Sequence, residues 1–167
     1  MVILAPPLQQ RLSPNSRIRL INTVEPPAII KATDGHEQFV DMVELFGLWL
    51  DSNFKAWGTN VPSPPTDETE ADVYEMVRDS TFAQMCRGLR RVFFTQAQAI
   101  QVIRQHRSCL HSRSATLIPF TAGRQRLVAN AFSNGDLGVS LLKASYQGVW
   151  RENPRYDRRH WIVLPCP

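Results

Sequence analysis

Asn134-Gly135-Asp136 stands between two runs of alternating apolar and polar residues, and it constrains the chain more than any other feature. Asn-Gly accepts the positive φ angles of a two-residue type I′ turn, so the runs Gln125 to Ser133 and Leu137 onward are expected to fold back as a hairpin. Upstream, Thr116 to Thr121 reads as another strand, joined to the hairpin by a turn at Ala122-Gly123-Arg124. Downstream, the run from Leu137 to Trp150 holds the third strand, with a bulge near Gly148. A polar loop, Glu152 to Arg159, then leads into a last strand, His160 to Leu164. Four sequential strands with short connections predict a four-stranded antiparallel meander over residues 114–165.

Ahead of Ser114 the pattern reads as helical. Residues 1–35 form an extended proline-rich arm: APP, SPN and EPP exclude helix, and Arg17-Ile18-Arg19-Leu20-Ile21 alternates as one strand. Asp34 and Glu37 stand as a capping box before Phe39, Met42, Val43, Phe46, Trp49 and Leu50, whose spacing predicts a buried first helix. After the proline loop Gly58–Thr66, the acids Asp67, Glu68, Glu70 and Asp72 suit the first turns of a second helix, with Val73, Tyr74 and Val77 on its apolar side. Ser80 is the expected cap of a short third helix carrying Phe82, Met85, Cys86 and Leu89. Thr95 with Gln98 opens a fourth helix to about Ser112, with Ala99, Ile103, His106 and Leu110 inward and a basic stripe of Arg104, Arg107 and His111 beside them. The expected architecture is therefore α+β: an arm over 1–35, then a single domain over 36–167, with about four helices over 36–112 and the meander behind them.

At 167 residues, 43% hydrophobic and 20% charged, the chain fits one domain with a core of its own. Cys86, Cys109 and Cys166 are an odd, widely spaced set, which predicts a reducing, cytoplasmic setting. The start MVILAPPLQQRL has no basic n-region and is interrupted by prolines, so no signal peptide is expected, and no window reaches the roughly 20 apolar residues of a membrane helix.

Charge is divided unevenly. Residues 1–84 hold six basic side chains against twelve acids, whereas residues 85–167 hold twelve arginines and Lys143 against three acids. Such a split predicts an anionic partner for the second half, unless the acidic half docks onto the basic half within the fold. Arginine's planar fork suits bidentate contacts to phosphate or carboxylate. The candidate anion-binding residues are Arg87, Arg90 and Arg91; Arg104 and Arg107; and Arg151, Arg155, Arg158 and Arg159, which are interleaved with Tyr156, His160 and Trp161.

Catalytic motifs are missing: no G-x-S-x-G, H-E-x-x-H, P-loop or G-x-G-x-x-G occurs. His106, Cys109 and His111 resemble a ligand set on paper, but helical spacing turns Cys109 and His111 about 200° apart, so no metal and no cofactor are expected. Cys109 near the two histidines admits a thiolate–imidazole pair, with burial as the commoner role. The leading functional expectation is a non-enzymatic accessory protein of a bacterium or mobile element that binds nucleic acid or an acidic protein surface through its arginine-rich half. One alternative is a structural or assembly component, a homo-oligomer or part of a larger complex, using the proline-rich arm. The other is a small metal-independent ribonuclease using His160, Tyr156 and Arg158.

Overall fold

Ala115 to Ala122 is buried at every position except the half-buried Thr121, so both faces of this strand must be covered by other parts of the chain. The computed structural model describes residues 17–21, 28–42, 50–134, 136–151 and 159–166, and among them this strand sits in the interior of a mixed sheet. The strands are β1 (Ile18–Leu20), β2 (Ala28–Ile30), β3 (Thr69–Met76), β4 (Phe94–Thr95), β5 (Ala115–Ala122), β6 (Gln125–Asn134), β7 (Asp136–Lys143) and β8 (Trp161–Pro165). The order is β1-β3-β8-β5-β6-β7. β8 runs antiparallel to β3 and parallel to β5, while β5, β6 and β7 are successive antiparallel neighbours. β1 and β2 lie end to end along the outer edge of β3, pairing Ile18 with Met76 and Ala28 with Ala71. β4 continues the line of β8 along β5, pairing Phe94 with Phe120.

The α+β expectation is overturned: the protein is mainly β-sheet, with three short α-helices among the described residues, α1 (Asn53–Ala56), α2 (Phe82–Met85) and α3 (Gln96–Gln105). The expected second helix is strand β3. Its acids mimic a helix start, yet Ala71 and Val73 face one side and Tyr74 and Met76 the other, and partners on both edges satisfy the backbone. Within the expected first helix the described residues form a 3-10 turn, Phe39–Asp41, and then Leu50 and Asp51 pair with β7; residues 43–49 lie outside the described residues. Asp34 caps no helix, and its carboxylate accepts the N–H of His36. Thr81, not Ser80, caps α2, in a capping box with Gln84. Thr95 and Gln98 do open α3, but the helix stops at Gln105, because the chain tightens into a 3-10 turn at Arg107–Cys109 on its way into β5. The three-stranded part of the meander forms. The last strand does not join it at β7, and inserts between β3 and β5 instead.

Each face of the sheet carries its own core. Over one face, Phe39, Phe54 and the α3 residues Ala99, Ile100 and Ile103 cover Val73, Val163, Ile118, Phe120, Ala129 and Val139. Phe39 is the hub, with ring centroids 4.7 Å from Phe54 and 5.2 Å from Phe120. Over the other face, Phe82 and Met85 cover Ile18, Tyr74, Leu117, Val128 and Ile162, with Phe93, Ala144 and Trp150 packed at the margin. No helix among the described residues is long and apolar enough to cross a membrane.

Candidate functional site

The turn between β5 and β6 places Gly123 at φ 58°, a left-handed conformation that a side chain would oppose, with the exposed Arg124 beside it. Two residues on, Arg126 alternates with Val128 onto the face covered by α2, where its guanidinium lies 5.5 Å from the centre of the Phe93 ring. Phe93 in turn tilts against Phe82, centroids 6.2 Å apart. Ala144 N–H donates to the Arg126 carbonyl at 3.0 Å, carrying the β6–β7 ladder to this end of the sheet. Lys143 alternates with Leu141 and Val139 onto the opposite face and holds its ammonium 5.2 Å from the Trp57 ring. The Trp57 carbonyl accepts a hydrogen bond from the side chain of Gln125. Between the turn and α2 runs a groove of about 570 Å³ lined by Phe82, Phe93, Arg124, Arg126, Ala144 and Ser145.

Among the described residues, no acid pairs with Arg124, Arg126 or Lys143. The ion pairs lie elsewhere: Arg19 with Glu75, Arg159 with Glu75 at 3.5 Å, and Arg104 with Glu37 at 2.7 Å. Among the described residues, Arg104 and Arg159 of the second half pair with Glu37 and Glu75 of the first, so the two halves cancel in part. The cancellation does not reach the groove.

The residues singled out from sequence are spread over the fold. Arg87, Arg90 and Arg91 are exposed on the segment after α2, and Arg91 donates to the Thr69 hydroxyl at 3.2 Å. Arg104 is tied to Glu37, and Arg107 is exposed in the 3-10 turn beyond α3. Arg151 is exposed next to Trp150, and Arg155, Tyr156 and Arg158 lie outside the described residues. Arg159 and His160 sit at the Met76 end of β3, whereas Arg91 sits at its Thr69 end, roughly 20–25 Å away along an eight-residue strand.

His160 places Nδ1 3.1 Å from the Ser114 hydroxyl and meets Trp150 edge-on at 5.4 Å. Burial pushes its pKa below the usual 6.5, and the nearby His111 adds to this. Hydrogen bonds to the backbone of Ala115 and Arg151 oppose the shift. His111 itself stacks edge-on to Trp161 at 4.8 Å. Burial raises the thiol of Cys109 to about 11 and that of Cys86 to about 12, so both stay protonated near neutrality and no thiolate–imidazole pair forms. No group of three or more metal-ligating side chains occurs among the described residues.

Arg124, Arg126, Lys143 and Phe93 escaped the sequence reading. A signal was present in Arg124-Gln125-Arg126, one cation in a predicted turn and one just after it, but Lys143 and Phe93 join them only through strand pairing. Compared with known proteins, the chain matches no family model, no curated protein and no solved structure.

Proposed function

We propose that this chain is a binding protein for a polyanion, which it holds at the β5–β6 turn through Arg124, Arg126 and Lys143. The observation that carries this reading is the pair Arg124 and Arg126, exposed and unpaired by acid among the described residues, beside a groove lined by Phe82 and Phe93, with the exposed Lys143 at the same end of the sheet. Arg19, Arg104 and Arg159 are matched with carboxylates; here Arg126 and Lys143 rest instead on the rings of Phe93 and Trp57, which orient them while leaving their outward N–H donors for a ligand. Two arginine forks suit the paired oxygens of phosphate or carboxylate groups, and Lys143 adds a point charge on the other face of the same sheet end. The wider arginine-rich half, including Arg87, Arg90 and Arg91, supplies the attractive field around this focus.

The test is fluorescence anisotropy with labelled nucleic acid and labelled heparin. Three phosphate contacts predict a loss of affinity of roughly 20- to 40-fold between ~50 and ~200 mM salt. The combined substitution Arg124→Ala, Arg126→Ala, Lys143→Ala is expected to remove that salt dependence together with most of the binding. Affinity that ignores salt, or a triple variant that binds like the wild type, would overturn the reading.

A further inference from the structure

We infer that the polyanion is a single-stranded nucleic acid, and that it leaves the groove along the face of the sheet covered by α2, stacking bases on Tyr146 and Phe132. This inference rests on the groove reading above. Its own support is a set of aromatic surfaces that a purely charged partner would leave bare. Phe132 is 40% exposed and Tyr146 51% exposed, in a protein whose other phenylalanines are mostly buried.

Phe132 owes its exposure to its row in the sheet. It alternates with Val128 onto the α2 face, and its cross-strand partners are Ala115 and Gly138, too small to shelter the ring. Six residues separate it from Arg126 on β6, so ring and guanidinium share one face about 20 Å apart. Tyr146 belongs to the segment that leads from Lys143 to Trp150, beginning at the groove wall with Ala144 and Ser145. Its ring lies against Gly148, in space that a Cβ would occupy. Between these points Asn130, on the same strand and face as Phe132, holds a buried side-chain oxygen with no hydrogen-bond partner. The segment ends with Trp150 and the exposed Arg151. Cations at the two ends and planar rings between them match what a single strand presents: phosphates and base faces. An acidic peptide would satisfy the cations alone. A duplex hides its base faces and has nothing to offer the rings.

The experiment uses the full chain and a labelled oligothymidine of roughly 12 nucleotides, with the matching duplex and base-free inorganic polyphosphate as competitors. The single strand is expected to bind more tightly than the duplex and to resist displacement by polyphosphate. Phe132→Leu and Tyr146→Leu keep apolar volume and remove the ring; each is expected to weaken the single strand about tenfold while leaving polyphosphate binding unchanged. If polyphosphate or duplex competes as well as the single strand, or if neither variant alters binding while Arg126→Ala does, the stacking inference is wrong and the groove reading survives. If the wild type binds neither nucleic acid nor polyphosphate, the groove reading itself fails and takes this inference with it.

Discussion

On the face of the sheet covered by α3, buried polar side chains are used to fasten loops. Gln96, wholly buried, accepts the Phe39 N–H at 3.0 Å and donates to the carbonyls of Thr59 and Val61 at 3.0 and 3.1 Å; Gln101 exchanges two hydrogen bonds with the backbone of Lys31. Gln98 Nε2 on this helix and His106 Nε2 at its C-terminal end are buried without partners. On the other face, Asn130 Oδ1 and Trp150 Nε1 are buried without partners, and Phe132, Tyr146 and Val149 stand in solvent. One sheet therefore has a closed side and an incompletely covered side. The polar side chains that fasten loops, Gln96 and Gln101, lie on the first face, and the exposed rings of Phe132 and Tyr146 on the second.

The largest test of this contrast pairs two phenylalanines. Phe39→Ala empties the hub between Phe54 and Phe120 and is expected to cost about 3–5 kcal/mol by urea denaturation. Phe132→Ala is expected to cost less than about 1 kcal/mol, since its ring is already partly hydrated. Equal costs would mean that the α2 face is closed in solution, and the contrast would dissolve. Next comes a polar pair. Gln96→Leu strands the Phe39 N–H and two carbonyls at a cost of about 3 kcal/mol, whereas Asn130→Leu removes an unsatisfied oxygen and is expected to be neutral or mildly stabilising.

A smaller effect is expected at the sheet edge. The Asp51 carboxylate accepts the N–H of Leu141 at 3.2 Å and that of Asn53 at 3.0 Å, so it caps the outer side of β7. Asp51→Ala is expected to cost about 1–2 kcal/mol and to promote association through the uncovered strand edge, seen as a concentration-dependent rise in light scattering. A variant that loses stability yet stays monodisperse would show that the Leu50–Val139 bridge protects the edge by itself.

How much of this could be read from the chain follows the distance between partners. The β5–β6–β7 hairpins were legible because turn and strands are contiguous: Gly123 and Asn134-Gly135-Asp136 sit between alternating runs. The start of α3 was legible for the same reason, since Thr95 and Gln98 complete a capping box within four residues. β3 was not. Its edges are made by β8, which pairs Ala71 with Pro165, and by β1, which pairs Met76 with Ile18, so nothing within one window outweighs the helical look of its acids. The candidate site shows the same division. Arg124 lies in a legible turn and Arg126 just after it, but the ring beneath Arg126 arrives on the segment before β4, and Lys143 arrives on β7. Counting arginines pointed to the half of the chain that holds the proposed groove and to other residues within it.

The smallest expected effect concerns pH, and it belongs to the α2 face. His160 lies there between Trp150, Ser114 and the backbone of Ala115 and Arg151, with the charge of His111 acting on it. Burial first, and His111 second, hold its pKa below 6.5, so the folded protein keeps this imidazole neutral where the unfolded chain would protonate it. The unfolded state then binds more protons as pH falls through 6.5, and stability declines until the pH reaches the lowered folded-state value, below which the decline stops. Urea midpoints measured from about pH 7.5 down to pH 5.5 should show this fall in the wild type and a shallower one in His160→Asn. Identical slopes in the two proteins would mean that the imidazole is already hydrated in the fold. His160 would then belong to the exposed surface with Phe132 and Tyr146, and the open part of the α2 face would extend to the end of the sheet.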